Sequence, residues 1–390
     1  MPIPAADKTI LRDLGKQIAE IAALPIQKVR AENHARINNL QRAKPTILIY
    51  QEPWNEMEVD GELQLRCEDG FCRGIEVGLR RTLYSWRHMP GDMVVSPIIS
   101  QPLCIQDTGF GLMEDVDIAR TDETSDVVSR HFHIQIKDEA DAEKIRFPEV
   151  SHDEAETQRQ FELRQEIFDG VLPVRTAKTG GFWFAPWDEL VRWTGVTEVL
   201  MDMVLRPGYV NALMDRFVSA WLHRLDQYEA QGLLSAPTSE LWGVGAAQIF
   251  SDVSPAMHVE FALRHEARWF ARWGRNYYWC CEPLDHKVDI LREHLPNLRK
   301  ISMSPWVNFD RAVEAMRDEF IFAWKPNPAV LAAETWDPEY VRRDMQEKLG
   351  KAKDCIVEIH MKDISTVRYQ PQRLWDWARI AAEVTEQYAE

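Results

Sequence analysis

"RNYYWCCEPLDHKVDILREHLPNLRKISMSPWVNFDRAVEAMRDEFIFAWKP", residues 275–326, decides the fold. Three short runs in it, RNYYWCCE, LRKISMS and EFIFAWKP, are rich in apolar, aromatic or β-branched residues and read as strands. Between them, LDHKVDILREHL and FDRAVEAMRD place apolar residues at helical spacing. Strands separated by helices imply a parallel sheet, because a parallel neighbour needs a long crossover connection.

The rhythm extends both ways. Upstream lie the strand SELWGVGA and the helix SPAMHVEFALRHEARWFARW; downstream lie DPEYVRRDMQEKLGKA, CIVEIHMKD and PQRLWDWARIAAEVTEQYA. Further back, LVRWTGVTEVLMDMVL and PGYVNALMDRFVSAWLHRLDQYEAQG read as helices, the second with Pro at its start and Gly at its end. KPTILIYQEP, GDMVVSPIIS and GVLPVRTAKTGGFWFAPW supply three earlier strands, which makes eight candidates. Eight suits a closed (β/α)8 TIM barrel over residues 46–390. An open doubly wound sheet is the competitor, but no G-x-G-x-x-G or P-loop follows any strand. Residues 1–45 read as a helical extension, with two helices over 7–42 that restart at Pro25. Residues 101–170 are charged and irregular, an expected insertion acting as a lid or docking surface.

Composition narrows the function. Of 390 residues, 45% are hydrophobic, enough for a sizeable core, and six cysteines do not make a disulfide scaffold. No run approaches the roughly 20 apolar residues of a membrane span, and the charged amphipathic N-terminus is unlike a leader. The expectation is a reduced, cytoplasmic protein. A net charge of −16 argues against a nucleic-acid groove; homo-oligomerisation stays open. The fifteen tryptophans fit either an aromatic-lined cavity or a large core.

In a parallel barrel the chemistry sits at the C-terminal ends of the strands. Those ends read YQEPWNE (50–56), WGVGAAQ (242–248), CCEP (280–283), SMSPW (302–306), WKPNP (324–328) and HMKD (360–363). They hold Gln51, Glu52, Glu56, Gln248, Cys280, Cys281, Glu282, Ser304, Lys325, Asn327, His360 and Asp363. Thiolate, carboxylate and imidazole together suit Zn2+. Neighbouring strand residues point to opposite sides, so Cys280 and Cys281 share an ion only if the strand has already ended. Otherwise one or both are small buried apolar groups. Lys325 either holds an anionic group or closes the mouth by pairing with a carboxylate. Cys355 begins its strand, at the wrong mouth, and reads as structural. His131 and His133 read as a solvated or satisfied pair, His258 and His265 as ordinary surface residues of one helix, and Cys67 and Cys72 as free thiols.

From about 170 to 385 the chain resembles the uroporphyrinogen decarboxylase superfamily, particularly its corrinoid-linked methyltransferase branch. WDELVRWTGVTEVLMDMVLRPGYVNALMDR, WGVGAAQIFSDVSPAMHVEF, YWCCEPLDHKVDILREHLPNLRKISMSPW, FAWKPNPA and MKDISTVRYQPQRLWDW carry the likeness. Porphyrinogen decarboxylases grip substrate carboxylates with an N-terminal arginine-rich motif, whereas YQEPWNEM here has no arginine and two glutamates. The methyltransferase branch often has His-x-Cys before a "GN" and a later Cys past the last strand; here Tyr278 or Trp279 and Asp363 fall at those places. The resemblance implies methyl transfer from a methoxylated, aromatic small molecule to the cobalt of a corrinoid carried by a partner protein. It implies Glu282, Lys325, Gln248 and Glu52 as catalytic groups, and Trp54, Trp279, Trp306, Trp324 and Asn327 against the substrate. Zinc, if held, would draw on Cys280, Cys281, Glu282, His360 and Asp363. The alternatives are a decarboxylase or lyase on the same fold, a methylamine-type donor held in a Trp cage, and a non-catalytic binding protein.

Overall fold

From Arg275 to Pro326 the alternation holds: strand, helix Val288–His294, strand, helix Phe309–Met316, strand. The second helix starts where Asn308 caps it, its side chain accepting from Arg311 N at 3.0 Å. The computed structural model describes residues 3–120, 123, 128–251 and 253–389. Within the expected 101–170 insertion, 121, 122 and 124–127 therefore lie outside the described residues.

The early strands are β1 (Thr46–Ile49), β2 (Ile99–Pro102), β3 (Ile105–Asp107), β4 (Val116–Ala119), β5 (Ser129–Phe132), β6 (Val150–His152) and β7 (Val174–Ala177). The later ones are β8 (Trp183–Phe184), β9 (Trp242–Gly245), β10 (Arg275–Tyr278), β11 (Leu298–Met303), β12 (Ile321–Trp324) and β13 (Ile356–Met361). Seven form one sheet in the order β1-β13-β12-β11-β10-β9-β8. Its pairs β1/β13, β9/β10, β10/β11 and β8/β9 are parallel. Every residue of β12 and β13 is buried, the pattern of strands covered on both faces. The protein is thus mixed α/β with a seven-stranded parallel sheet.

The expected eighth strand is corrected. GDMVVSPIIS extends only over Ile99–Pro102, and β2 pairs in parallel with β7 in a separate two-stranded sheet. The edge of β1 is instead capped by one residue. Asp92 Oδ2 accepts from Ile47 N at 2.8 Å, and Asp92 N donates to Ile47 O at 2.9 Å. Gly91 (φ +45°) permits this approach, since a Cβ there would stand 2.7 Å from Ile47 O. Residues 101–170 are likewise more regular than expected: β3/β6 and β4/β5 are antiparallel ladders, and Glu154–Phe168 is a helix. LVRWTGVTEVLMDMVL is two helices, Pro186–Thr194 and Val196–Leu205, broken at Gly195 (φ +79°).

Contacts divide the chain into two compact units, Met1–Pro102 with Glu154–Ala177 and Trp324–Glu390, and Leu103–Asp153 with Lys178–Ala323. Residues 1–45 belong to the first. There the helices Ala5–Ala22, Gly70–His88 and Glu154–Phe168 enclose Leu11, Ile18, Cys72, Leu79, Ile167 and Phe168. The core of the second unit is aromatic. Trp269 stacks on Phe184 at 4.6 Å and meets Trp221 and Trp273 edge-on or tilted, and Trp187 is wholly buried. These tryptophans are packed into a core.

Candidate active site

In the first unit β1 and β13 run side by side in register, Ile49 opposite Met361, with Tyr50 N donating to Met361 O at 2.9 Å. Both chains then turn sharply. Gln51 (φ +57°) and Asp363 (φ +56°) are left-handed without being glycine, and Gln51 Oε1 accepts from Asp363 N at 3.1 Å. Arg368 (φ +58°) and Tyr369 (φ +54°) repeat the strain in the loop after β13. Such conformations persist where the surroundings over-determine them, and they gather at functional sites.

Buried Glu56 supplies that over-determination. Its carboxylate accepts from the Thr366 hydroxyl at 2.7 and 2.8 Å, Val367 N at 2.8 Å and Tyr369 N at 3.1 Å. Removing it orphans two backbone donors, at roughly 1–3 kcal/mol each when buried. Glu56→Ala is therefore expected to lower stability by about 3 kcal/mol and to open the 363–369 loop to proteases. Denaturant titration and limited proteolysis measure both. Unchanged cleavage at this loop would remove Glu56 from the role.

His360 is buried on β13, its Nε2 2.9 Å from Glu358 Oε2, and its ring meets Tyr50 edge-on at 5.7 Å. Burial, with help from Glu358, pushes the Tyr50 phenol far above its ordinary range. Asp363 pairs with buried Lys362 at 2.8 Å. Lys325 and Trp324 are buried where β12 ends, and Asn327 Oδ1 accepts from Ala329 N at 3.0 Å, a turn that leads into the short helix Ala329–Ala332. Trp54 packs edge-on to Tyr84 at 5.8 Å, and the Arg81 guanidinium lies 4.8 Å from its ring centre.

Beyond the Asp92 cap, the edge of β1 opens on a cavity of about 250 Å3 lined by Ile49, Tyr50, Glu52, Arg81, Thr82 and Ser85, among others. Burial raises the Glu52 carboxyl above the usual range, opposed by a backbone hydrogen bond and the charge of Arg81. A half-buried acid that holds its proton more tightly than an exposed one, beside a cavity, is placed to act as a proton donor.

The second unit holds the other predicted residues, at the ends of β9, β10 and β11. Gln248 Nε2 donates to Asp188 Oδ2 at 2.6 Å, and Gln248 N to Asp188 Oδ1 at 3.1 Å. Trp279 meets Trp183 edge-on at 4.5 Å, and Trp306 is 69% exposed. Strand β10 ends at Tyr278, so Cys280 and Cys281 lie past the alternation. Cys280 is wholly buried, its Sγ 4.0 Å from Ala247 O and accepting from Glu282 N at 3.3 Å; Cys281 is partly exposed. Among the described residues, no three His, Cys, Asp or Glu side chains are grouped to hold a metal ion.

Behind β10 stands a group that sequence reasoning misplaced. His258 and His265 are not surface residues: both are buried. His258 Nε2 lies 2.8 Å from the Tyr278 hydroxyl, which donates to Glu266 Oε2 at 3.3 Å. A π-turn at Val259–Leu263 lies between His258 and Glu266. Burial pushes Glu266 up to about 8 and His258 down to about 3. His265 Nε2 pairs with Asn211 Oδ1 at 2.8 Å. No sequence signal separates these from an amphipathic helix. His133, by contrast, is solvated as expected, held by Asp115 at 2.9 Å and Asp117 at 3.0 Å. Cys67, Cys72 and Cys355 are buried and in no disulfide.

Alternating strands and helices around a parallel sheet, with helix and loop over the strand ends, define an α/β fold compatible with the TIM-like class. A methyltransferase from Methanosarcina mazei shares it, at a TM-score of 0.55 and 11% identity, covering 91% of this chain and 98% of that one. At that identity the likeness speaks for the fold. No protein-family model matches the chain. No curated protein matches it either. Among the described residues, no helix is long and apolar enough to cross a membrane.

Proposed function

We propose that the protein is a methyltransferase that moves a methyl group from a methoxylated, aromatic small molecule to the cobalt of a corrinoid on a separate protein. The observation that carries this reading is the fold shared, over 91% of the chain, with a methyltransferase. The corrinoid supplies the nucleophile. This chain's residues bind the donor, exclude water and move a proton. The new bond forms at the methyl carbon with the acceptor's electron pair, and the ether C–O bond breaks. Glu52 gives its proton to the departing oxygen, so that the product leaves as a neutral hydroxyl and not as a charged alkoxide or phenolate. General-acid help matters here because an ether oxygen is a poor leaving group.

The test is to mix the protein with 4-methoxybenzoate and a chemically reduced corrinoid protein. Loss of the reduced corrinoid spectrum together with stoichiometric 4-hydroxybenzoate is the expected result. Carbon dioxide release from the same acid without corrinoid methylation would replace this reading by the lyase one.

A further inference from the structure

The cavity beside β1 has a chemical character of its own. On its helical wall Arg81 and Ser85 are four residues apart in Gly70–His88, which places them on one face, with Thr82 beside them. On its strand wall it has Ile49, Tyr50 and Glu52. Arg81, Glu52 and the hydroxyl-bearing Tyr50, Thr82 and Ser85 thus line a space bounded elsewhere by apolar groups such as Ile49, Met89 and Met93. Cavities of about 150 Å3 hold a benzene ring, so about 250 Å3 takes one ring with small substituents and excludes a tetrapyrrole.

We propose that this cavity is the subsite for a monocyclic aromatic carboxylate, with Arg81 taking the carboxylate and Glu52 the oxygen-bearing substituent. The Glu52 role rests on the methyl-transfer reading above; the Arg81 role does not. The Arg81 fork suits a carboxylate, and its plane is already steadied over Trp54 at 4.8 Å. The charge of Arg81 draws Glu52 toward ionisation. A bound carboxylate takes up that charge, so Glu52 holds its proton more firmly once substrate is in place. Binding of the anion is then coupled to proton uptake.

Calorimetry with 4-methoxybenzoate and its neutral isostere 4-methoxybenzamide tests this on the full chain. The wild type is expected to bind the carboxylate at least roughly tenfold more tightly, about 1.4 kcal/mol. Arg81→Gln should bring the two within about twofold, and Arg81→Lys should restore part of the preference. Ser85→Met, which fills the cavity, should weaken both ligands alike. Repeating the titration in buffers of different ionisation enthalpy should show proton uptake that Glu52→Gln abolishes. Equal wild-type affinities, no binding of either ligand, or a preference that survives Arg81→Gln would overturn the subsite. Tight, Arg81-dependent binding without methyl transfer would leave the subsite standing and remove the reaction assigned to it.

Discussion

Glu52→Gln is expected to lower kcat for methyl transfer by roughly 10²–10⁴-fold, the usual worth of a positioned general acid, while KM for 4-methoxybenzoate moves little. Glutamine has the same shape and keeps the cavity wall, so the loss isolates the proton. The pH profile carries the sharper evidence. An acid must be protonated to act, so activity is present below the folded-state pKa of Glu52 and falls as pH rises through it. Burial raises that pKa, so the alkaline limb should lie above the ordinary carboxylate range. In Glu52→Gln that limb should vanish. A wild-type profile flat from pH 5 to 8, or a variant retaining more than a tenth of the rate, would assign the proton to another group.

The second large effect is on stability. Glu266 is wholly buried beside Tyr278, and its pKa is about 8 against an ordinary value of 4.5. Below pH 4.5 it is protonated in folded and unfolded chains alike. Between 4.5 and 8 the unfolded chain releases the proton and the folded one keeps it, so stability falls across that window and then levels off. Glu189, raised to about 7 by burial, adds to the same slope. Glu266→Gln removes the penalty: at pH 8 it should stabilise the protein by on the order of 3 kcal/mol, and at pH 4 by almost nothing. His258 acts from the other side. Its folded pKa of about 3 lies below the ordinary 6.5, so its contribution is whole above 6.5 and erodes as pH drops toward 3. Denaturant midpoints at three pH values decide the matter. Equal midpoints for wild type and variant at pH 8 would mean that the pocket relaxes to solvate the charge.

Much of the fold was readable because hydrophobic pattern and element length agree over long stretches. β9 to β13 and the helices between them repeat a plain alternation, and Pro25 marks a helix start in sequence as in structure. What escaped reading depends on single residues with unusual backbone or on distant partners. Gly195 splits one apparent helix, and a π-turn interrupts the helical spacing between His258 and Glu266. β2 carries a strand pattern but pairs with β7, a choice that only tertiary packing makes. Glu52 was visible as a polar residue at a strand end. Arg81, on the helix that follows, carries no such signal, because only tertiary packing brings it to the same cavity. The Cys280–Cys281 pair was ambiguous because the exit point of β10 fixes which thiol is inside, and that point is set by the turn after Tyr278.

The aspartate at the sheet margin also bears on how copies of this chain coexist at high concentration. An open parallel sheet offers its last strand as a template for another molecule. Here Ile47 is already bonded on its outward side by a charged residue, itself tied to Lys44 at 3.1 Å. A foreign strand approaching there would have to evict a carboxylate and its counter-ion from a partly dry setting before gaining a single ladder bond. The margin is guarded by electrostatics where most folds would add another strand.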